Sequence, residues 1–357
     1  METDGIRCMM MRGGTSKGAY FLAEDLPTDA TERDALLLAV MGSPDPRQID
    51  GIGGADPLTS KVAVISPSAD PSTDVDYLFL QVMVDRAVVT DRQNCGNLLA
   101  GVGPFAIERG LVAATDELTS VRIRMVNSDS VAVATFPTPG GMPDYRGDTA
   151  IDGVPGTAAA VRIEFTDTAG SSTGALLPTG NVTDSVEGVT VTCVDNGMPS
   201  VLIAASALGL SGDESPESLQ DDVALNERLA AIRLAAARLM GMGDVSSTTV
   251  PKLVLLSAPR DGGVIATRSF LPVKVHSSIG VLGALTVAAG VSIPGAVGND
   301  LALLPEPGEQ FRIEHPTGHF DVVIDVVIEP NTTVVRSSGT IRTARKLFDG
   351  TVFPRPI

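Results

Sequence analysis

Asn94-Cys95-Gly96-Asn97-Leu98-Leu99-Ala100-Gly101-Val102-Gly103-Pro104-Phe105-Ala106-Ile107 runs on into Glu108-Arg109-Gly110. Residues 98–107 are of helical length and apolar at nearly every position. That pattern predicts a helix enclosed by protein on all sides, with Gly110 at its C-terminal cap. Gly101 and Gly103 lower its intrinsic propensity, yet they let surrounding strands approach closely.

The flanking sequence supplies such strands. Upstream, residues 7–11 read as a strand closed by Arg12-Gly13-Gly14-Thr15-Ser16-Lys17-Gly18, and residues 19–22 as a short apolar strand. Residues 29–41 read as a helix ended by Gly42-Ser43-Pro44, and residues 48–59 as an irregular glycine-rich stretch. Residues 61–65 and 75–84 are strands, the second broken by the polar Gln81. Strands at 121–126, 130–136 and 158–165 follow, and residues 177–181 read as a crossing between halves.

The second half repeats this grammar. Strands at 189–194 and 200–205 precede an amphipathic helix at 224–240, then come strands at 252–256 and 263–270. A second enclosed apolar helix is expected from Ser277 to about residue 289, closed by Gly290, before strands at 311–314, 319–328 and 331–343. No short-period repeat is present, but strands around one buried glycine-bearing helix occur twice, which argues for two similar α+β domains. The expected division is 1–182, carrying Lys61 and Cys95, then 183–340, with 341–357 as a tail returning to the first domain.

Composition fits this reading. The 357 residues are 43% hydrophobic but only 4% aromatic, so the core is built from Val, Ile, Leu and Ala, and 37 glycines with 24 prolines imply many turns. A formal charge of −17 without a basic run excludes nucleic acid as a natural partner. An anionic substrate would need local attraction from a few cations and oriented N–H groups. The N-terminus lacks the features of a signal peptide and no apolar run has the length of a membrane span, so a soluble, cytoplasmic protein without membrane association is expected. Cysteines at 8, 95 and 193 are too scattered for a disulfide framework or zinc cluster, and histidines occur only at 276, 315 and 319. Pro316 and Gly318 make the last two part of a turn, so no metal site is expected there.

Four places can carry chemistry. Cys95 opens the buried helix, where the dipole and unpaired N–H groups favour a thiolate; a buried inert thiol is the alternative. Lys61 opens an apolar strand, where burial would free the neutral amine as a base, whereas a solvated strand end would not. The 12–18 loop lacks the GxxxxGK[ST] spacing of a phosphate loop, but its N–H groups and hydroxyls, with Arg12 or Lys17, can hold a carboxylate; an ordinary tight turn fits equally. Ser277 and Ser278 are expected to cap the second buried helix, with His276 binding an anion or satisfying a backbone carbonyl.

Residues 11–18, 50–61 and 93–97 together resemble the methylaconitate isomerase (PrpF) family of the diaminopimelate-epimerase-like superfamily, and residues 177–181, 195–199 and 339–345 extend the likeness over essentially the whole chain. The resemblance implies two similar domains, each a curved, barrel-like sheet around a central helix, with the site in the cleft between them. It implies a cofactor-independent, metal-free isomerase with Lys61 and Cys95 as the proton-handling pair. Arg12, Thr15, Ser16, Lys17, Asn94, Gly96, Asn97, His276, Ser277 and Ser278 would bind a small unsaturated tricarboxylate. The implied reaction is a proton shift in 4-oxalomesaconate during aromatic-acid degradation; cis/trans isomerisation of 2-methylaconitate and non-catalytic tricarboxylate binding are the alternatives. A homodimer is one assembly open to such a chain. Amino-acid epimerases of the superfamily use two cysteines. Ser277-Ser278 stands where the second would be, which favours a lysine/cysteine proton shift over racemisation.

Overall fold

The computed structural model describes residues 5–91, 95–246, 248–271, 274–306, 309–329 and 332–355. The chain divides into two compact units, Met1–Thr166 with Ile341–Ile357, and Asp167–Thr340. The division therefore falls at Thr166 and not at residue 182. Asp195 and Asn196 of the second unit account for the difference. Thr168 Oγ1 donates to Asn196 Oδ1 at 2.7 Å, and the Ser172 and Thr173 N–H groups donate to Asp195 Oδ2 at 2.9 and 3.0 Å.

In the first unit, strands β1 (Ile6–Gly13) and β2 (Ser16–Leu22) form a hairpin, followed by helix α1 (Ala30–Met41). Asp29 Oδ1 caps α1 by accepting from the Thr31 and Glu32 N–H groups, and Gly42, at φ +79°, ends it. Strands β3 (Lys61–Pro67), β4 (Val75–Val82) and β5 (Val89–Thr90) lead to α2 (Gly96–Glu108), then β6 (Leu118–Met125), β7 (Ser130–Pro137) and β8 (Ala160–Phe165). Strand β2 pairs parallel with β3, and β4 with β6, whereas β1–β2, β3–β4, β6–β7 and β7–β8 are antiparallel. Helix α2 packs on β1, β2, β3, β4, β6, β7 and β8, so this one sheet curls around it. Every residue from Leu98 to Ile107 is buried, as an all-apolar helix requires.

The second unit contains β9 (Asp184–Val186), β10 (Val189–Val194), β11 (Ser200–Ala204), α3 (Pro216–Asp221), α4 (Val223–Leu239), β12 (Lys252–Ser257), β13 (Ile265–Leu271), β14 (Lys274–Val275), α5 (Val281–Val291), β15 (Phe311–His315), β16 (Gly318–Glu329) and the first part of β17 (Thr332–Val352), which belongs to the first unit from Ile341 on. Residues 332–340 of β17 pair with β16, and residues 344–352 pair antiparallel with β1 of the first unit's sheet. The orders β17-β1-β2-β3-β4-β6-β7-β8 and β9-β10-β11-β12-β13-β15-β16-β17 share one pattern of directions. In both, the second and third pairings after the first antiparallel one run antiparallel then parallel, and the rest match in turn. Helix α5 occupies the place of α2, against β10, β11, β15 and β16.

One expectation about α5 is corrected. It starts at Val281 with Gly280 as N-cap, so Ser277 and Ser278 do not cap it. Among the described residues no helix is long and apolar enough to cross a membrane.

Candidate active site

Lys61 is the first residue of β3, opposite Gly18 of β2 and Gln81 of β4. Val62, Val64, Leu80 and Val82 pack with Leu37, Val40 and Met41 of α1, so the alternate positions Lys61, Phe79 and Gln81 face the α2 side of the sheet. There Lys61 Nζ donates to Gln81 Oε1 at 3.0 Å and lies 5.0 Å from the centre of the Phe79 ring. Gln81 Nε2 donates to the carbonyl oxygens of Pro57, Ser60 and Val82 at 3.1, 3.0 and 3.3 Å. The lysine is 7% exposed, and the partner of its amine is a neutral amide. The irregular stretch before it is held by buried Gln48, whose Oε1 accepts from Ala55 N–H at 2.8 Å and Ser60 Oγ at 2.6 Å.

Cys95 is the N-cap of α2, with φ −129° and ψ 94°, and its side chain takes no N–H of the first turn. Leu99 N–H reaches Cys95 O at 3.2 Å, so the N–H groups of Gly96, Asn97 and Leu98 have no acceptor within the helix. Two buried tyrosines seat this end: Tyr77 OH donates to Cys95 O at 3.3 Å, and Tyr20 OH to Leu98 O at 2.5 Å. Burial pushes both phenols well above their ordinary range, and the nearby Cys95 thiol adds to the rise. They are fixed, protonated hydrogen-bond donors near neutral pH.

The β1–β2 turn closes over the same helix end. Asn97 Nδ2 donates to Thr15 Oγ1 at 3.0 Å. A Cβ on Gly13 would lie 2.4 Å from Asn97 O, and one on Gly14, at φ +51°, would lie 2.2 Å from Asn97 Oδ1. Glycine is what permits the approach. Ser16 shares Gly13's face; it is 2% exposed and its hydroxyl finds no partner among the described residues.

A chain with this turn, this lysine and this helix start matches the model of the PrpF protein over residues 4–355. The chain belongs to that family. Its relatives include the (4E)-oxalomesaconate Delta-isomerase of Novosphingobium sp., 58% identical over 98% of both chains. The 4-oxalomesaconate tautomerase of Pseudomonas putida is 58% identical over 97% of this chain and 95% of its own. Among solved structures, a methylitaconate-delta-isomerase superposes with a TM-score of 0.88 at 35% identity, covering 99% of this chain and 96% of that one. The two sheets wrapped around central helices are the diaminopimelate-epimerase-like fold of the PrpF proteins.

In this PrpF protein, Lys61, Cys95, Thr15, Ser16, Gly96 and Asn97 belong to the α2 side of one sheet. Arg12 and Lys17 do not. They pair with each other in the hairpin, and strand alternation turns them to the opposite face from Gly13 and Ser16. Arg12 Nη1 donates to Gly14 O at 2.8 Å, Thr343 O at 3.0 Å and Thr343 Oγ1 at 2.9 Å, whereas Lys17 Nζ lies beside Gly54. Asn94, with Gln93, lies outside the described residues. No group of three or more His, Cys, Asp and Glu residues is placed to hold a metal ion among the described residues.

In the second unit, the His276 imidazole is held as an acceptor by a nearby backbone N–H. Its Nδ1 accepts from Ser278 N–H at 2.9 Å, and burial, then Lys252, lower its pKa. Ser278 Oγ lies 3.1 Å from His315 Nε2, and Thr317 Oγ1 donates to Ser277 O at 2.9 Å. Sequence reasoning passed over Lys252. It opens β12 opposite Ser200 of β11, the register that Lys61 has opposite Gly18. Both lysines are followed by four apolar residues, 62–65 and 253–256, a signal readable from the sequence.

Proposed function

We propose that this chain shifts a proton in 4-oxalomesaconate without a cofactor, with Lys61 and Cys95 as the acid/base pair. The observation that carries the reading is a buried lysine, held by a neutral amide, on the sheet face that also bears the thiol at the open end of α2. Support for the substrate comes from the two oxalomesaconate-converting relatives, each 58% identical over nearly the whole chain.

Lys61 takes the proton from the carbon next to the carboxylated double bond, and the electron pair left behind delocalises into a dienolate. The N–H groups of Gly96, Asn97 and Leu98 stabilise the developing oxygen charge more than they stabilise a ground-state carboxylate. The Cys95 thiol then protonates the far carbon, and solvent returns the pair to its starting state. Thr15, Ser16 and Asn97 orient the carboxylates. A neutral partner for the lysine suits this role, because a carboxylate there would favour the ammonium and remove the base.

Purified protein assayed with 4-oxalomesaconate and 2-methylaconitate tests the reading. Higher kcat/KM for 4-oxalomesaconate is expected, because its keto oxygen takes up charge in the dienolate; one extra charge-assisted contact to that oxygen, of about 1.5–3 kcal/mol, amounts to roughly 10- to 150-fold in the transition state. Higher efficiency with methylaconitate would move the assignment to that substrate. Binding without turnover of either would leave a tricarboxylate-binding protein.

A further inference from the structure

Arg12 of β1 and Arg345 of β17 are direct partners across an antiparallel pair. Like charges in that relationship destabilise a sheet unless something neutralises them. No side-chain carboxylate does so: Arg12 spends Nη1 on Gly14 and Thr343, and neither guanidinium pairs with Asp or Glu among the described residues. The neighbouring carboxylates are engaged elsewhere, Asp349 with Arg109, Glu108 with Lys346 and Tyr145, and Asp144 with Arg146.

Both arginines line one cavity of about 420 Å³, walled by residues 145–147, Ile151, residues 154–158 and Thr343, so that Arg146 is also in its wall. Among the described residues no Asp or Glu lines it, and neither do Lys61 or Cys95. Burial, then the charge of Arg345, make the Arg12 cation harder to hold than usual. An anion between the two guanidiniums would relieve both effects.

We propose that this cavity is a binding site for a small multivalent oxyanion, a polycarboxylate or phosphate, held between Arg12 and Arg345 and separate from the Lys61 and Cys95 site. Planar guanidinium forks suit oxyanions with paired oxygens, and the cavity has room for a molecule of several carboxylates. The proposal does not depend on which substrate the enzyme converts.

Thermal unfolding and titration calorimetry of the full chain test it, with inorganic phosphate and the saturated tricarboxylate tricarballylate as separate probes. Each measurement is made on the parent, Arg345→Gln, Ser16→Ala and Asn97→Ala, the last two lacking side chains that hold carboxylates beside Lys61 and Cys95. Without a probe, Arg345→Gln should unfold at or above the parent temperature, because a repulsion has gone. At least one probe should bind the parent and raise its Tm, and the tighter one names the source of the oxyanion. Arg345→Gln should weaken that binding about 10- to 100-fold, the loss of one charge-assisted contact. Ser16→Ala and Asn97→Ala should bind the same probe as the parent does. Three outcomes would overturn the proposal: neither probe binding the parent at millimolar concentration, Arg345→Gln binding as well as the parent, or the Ser16 and Asn97 variants losing the same binding. In the last case the ligand sits at the catalytic pair. Failure of the proton-shift assay alone leaves the oxyanion site standing.

Discussion

Lys61 Nζ lies 3.0 Å from Gln81 Oε1, and the amide cannot turn over, because its nitrogen faces the carbonyl oxygens of Pro57, Ser60 and Val82. A flipped amide would set its oxygen against three acceptors and its N–H₂ against an amine. The arrangement fixes the amine in place while supplying no negative charge. Gln81→Glu changes the charge in nearly the same volume, and an opposite charge within about 4–6 Å favours the ammonium. Activity of this variant should require higher pH, with the rising limb of kcat displaced upward relative to the parent. Gln81→Leu, which removes the hydrogen bond without adding charge, should lower kcat with much less displacement. Coincident pH profiles for parent and Gln81→Glu would mean that Lys61 is not the base.

Removing either member of the pair should affect turnover more than binding. General acid/base groups contribute about 10²- to 10⁴-fold, so Lys61→Ala and Cys95→Ser should each turn over at least about 100-fold more slowly. Affinity for an unreactive tricarboxylate should change little. The double variant should be barely slower than either single one, since a relay missing one end leaves the other little to do. In deuterated solvent the parent should place deuterium at the reprotonated carbon. Retention of more than about a tenth of turnover by Cys95→Ser, outside the range of a general acid, would make Cys95 a packing residue.

How far the sequence reached is clearest at the two enclosed helices. An all-apolar stretch of helical length has to be surrounded, so α2 was legible, with Cys95 at its start and Gly110, at φ +71°, just past its end. The start of α5 was not legible, although Ser277-Ser278 has the composition of a cap. The Ser278 N–H is taken by His276 Nδ1, the chain bends at Ser277 and Ser278, and Gly280, at φ −76° and ψ 155°, is extended where the helix begins. Both features are specific to the folded chain. The 12–18 motif does not by itself divide between faces; strand register does that, sending Ser16 to the α2 side and Arg12 and Lys17 away. The boundary between units was misplaced for a similar reason. Thr168, Ser172 and Thr173 are bound by Asp195 and Asn196, residues more than 20 positions away in the chain.

Gly13 tests whether the β1–β2 turn and the α2 start act together. A methyl group there would fall 2.4 Å from Asn97 O, a backbone atom with no rotamer to change, so the turn and the helix end must separate in Gly13→Ala. Overpacking of this kind costs about 1–3 kcal/mol. If the turn orients substrate against Cys95, a displacement near 1 Å should also slow turnover by about 10²-fold. A variant with lowered Tm but parental kcat and KM would show that the turn is structural only.

Lys252 makes the last prediction, because it repeats the register of Lys61 in a different electrostatic setting. Burial, then the charge of Arg233, lower its ammonium pKa, and Lys252 in turn lowers that of His276. The sign follows from linkage. A lysine whose folded pKa lies below its unfolded value binds a proton less readily in the native state, so at pH 7 its charge opposes folding. Stability contributed by this group rises as pH climbs through the folded pKa toward the unfolded value of about 10.4. Lys252→Met keeps the length of the side chain and removes the charge. It should raise Tm at pH 7, and the gap to the parent should narrow as the pH approaches 10. The His276 imidazole, relieved of a neighbouring cation, should titrate at higher pH in the variant, which NMR of the ring protons reports. A Tm unchanged or lowered at pH 7, with His276 titrating as in the parent, would mean that the Lys252 ammonium is compensated in solution, and its register match with Lys61 would then be one of backbone position alone.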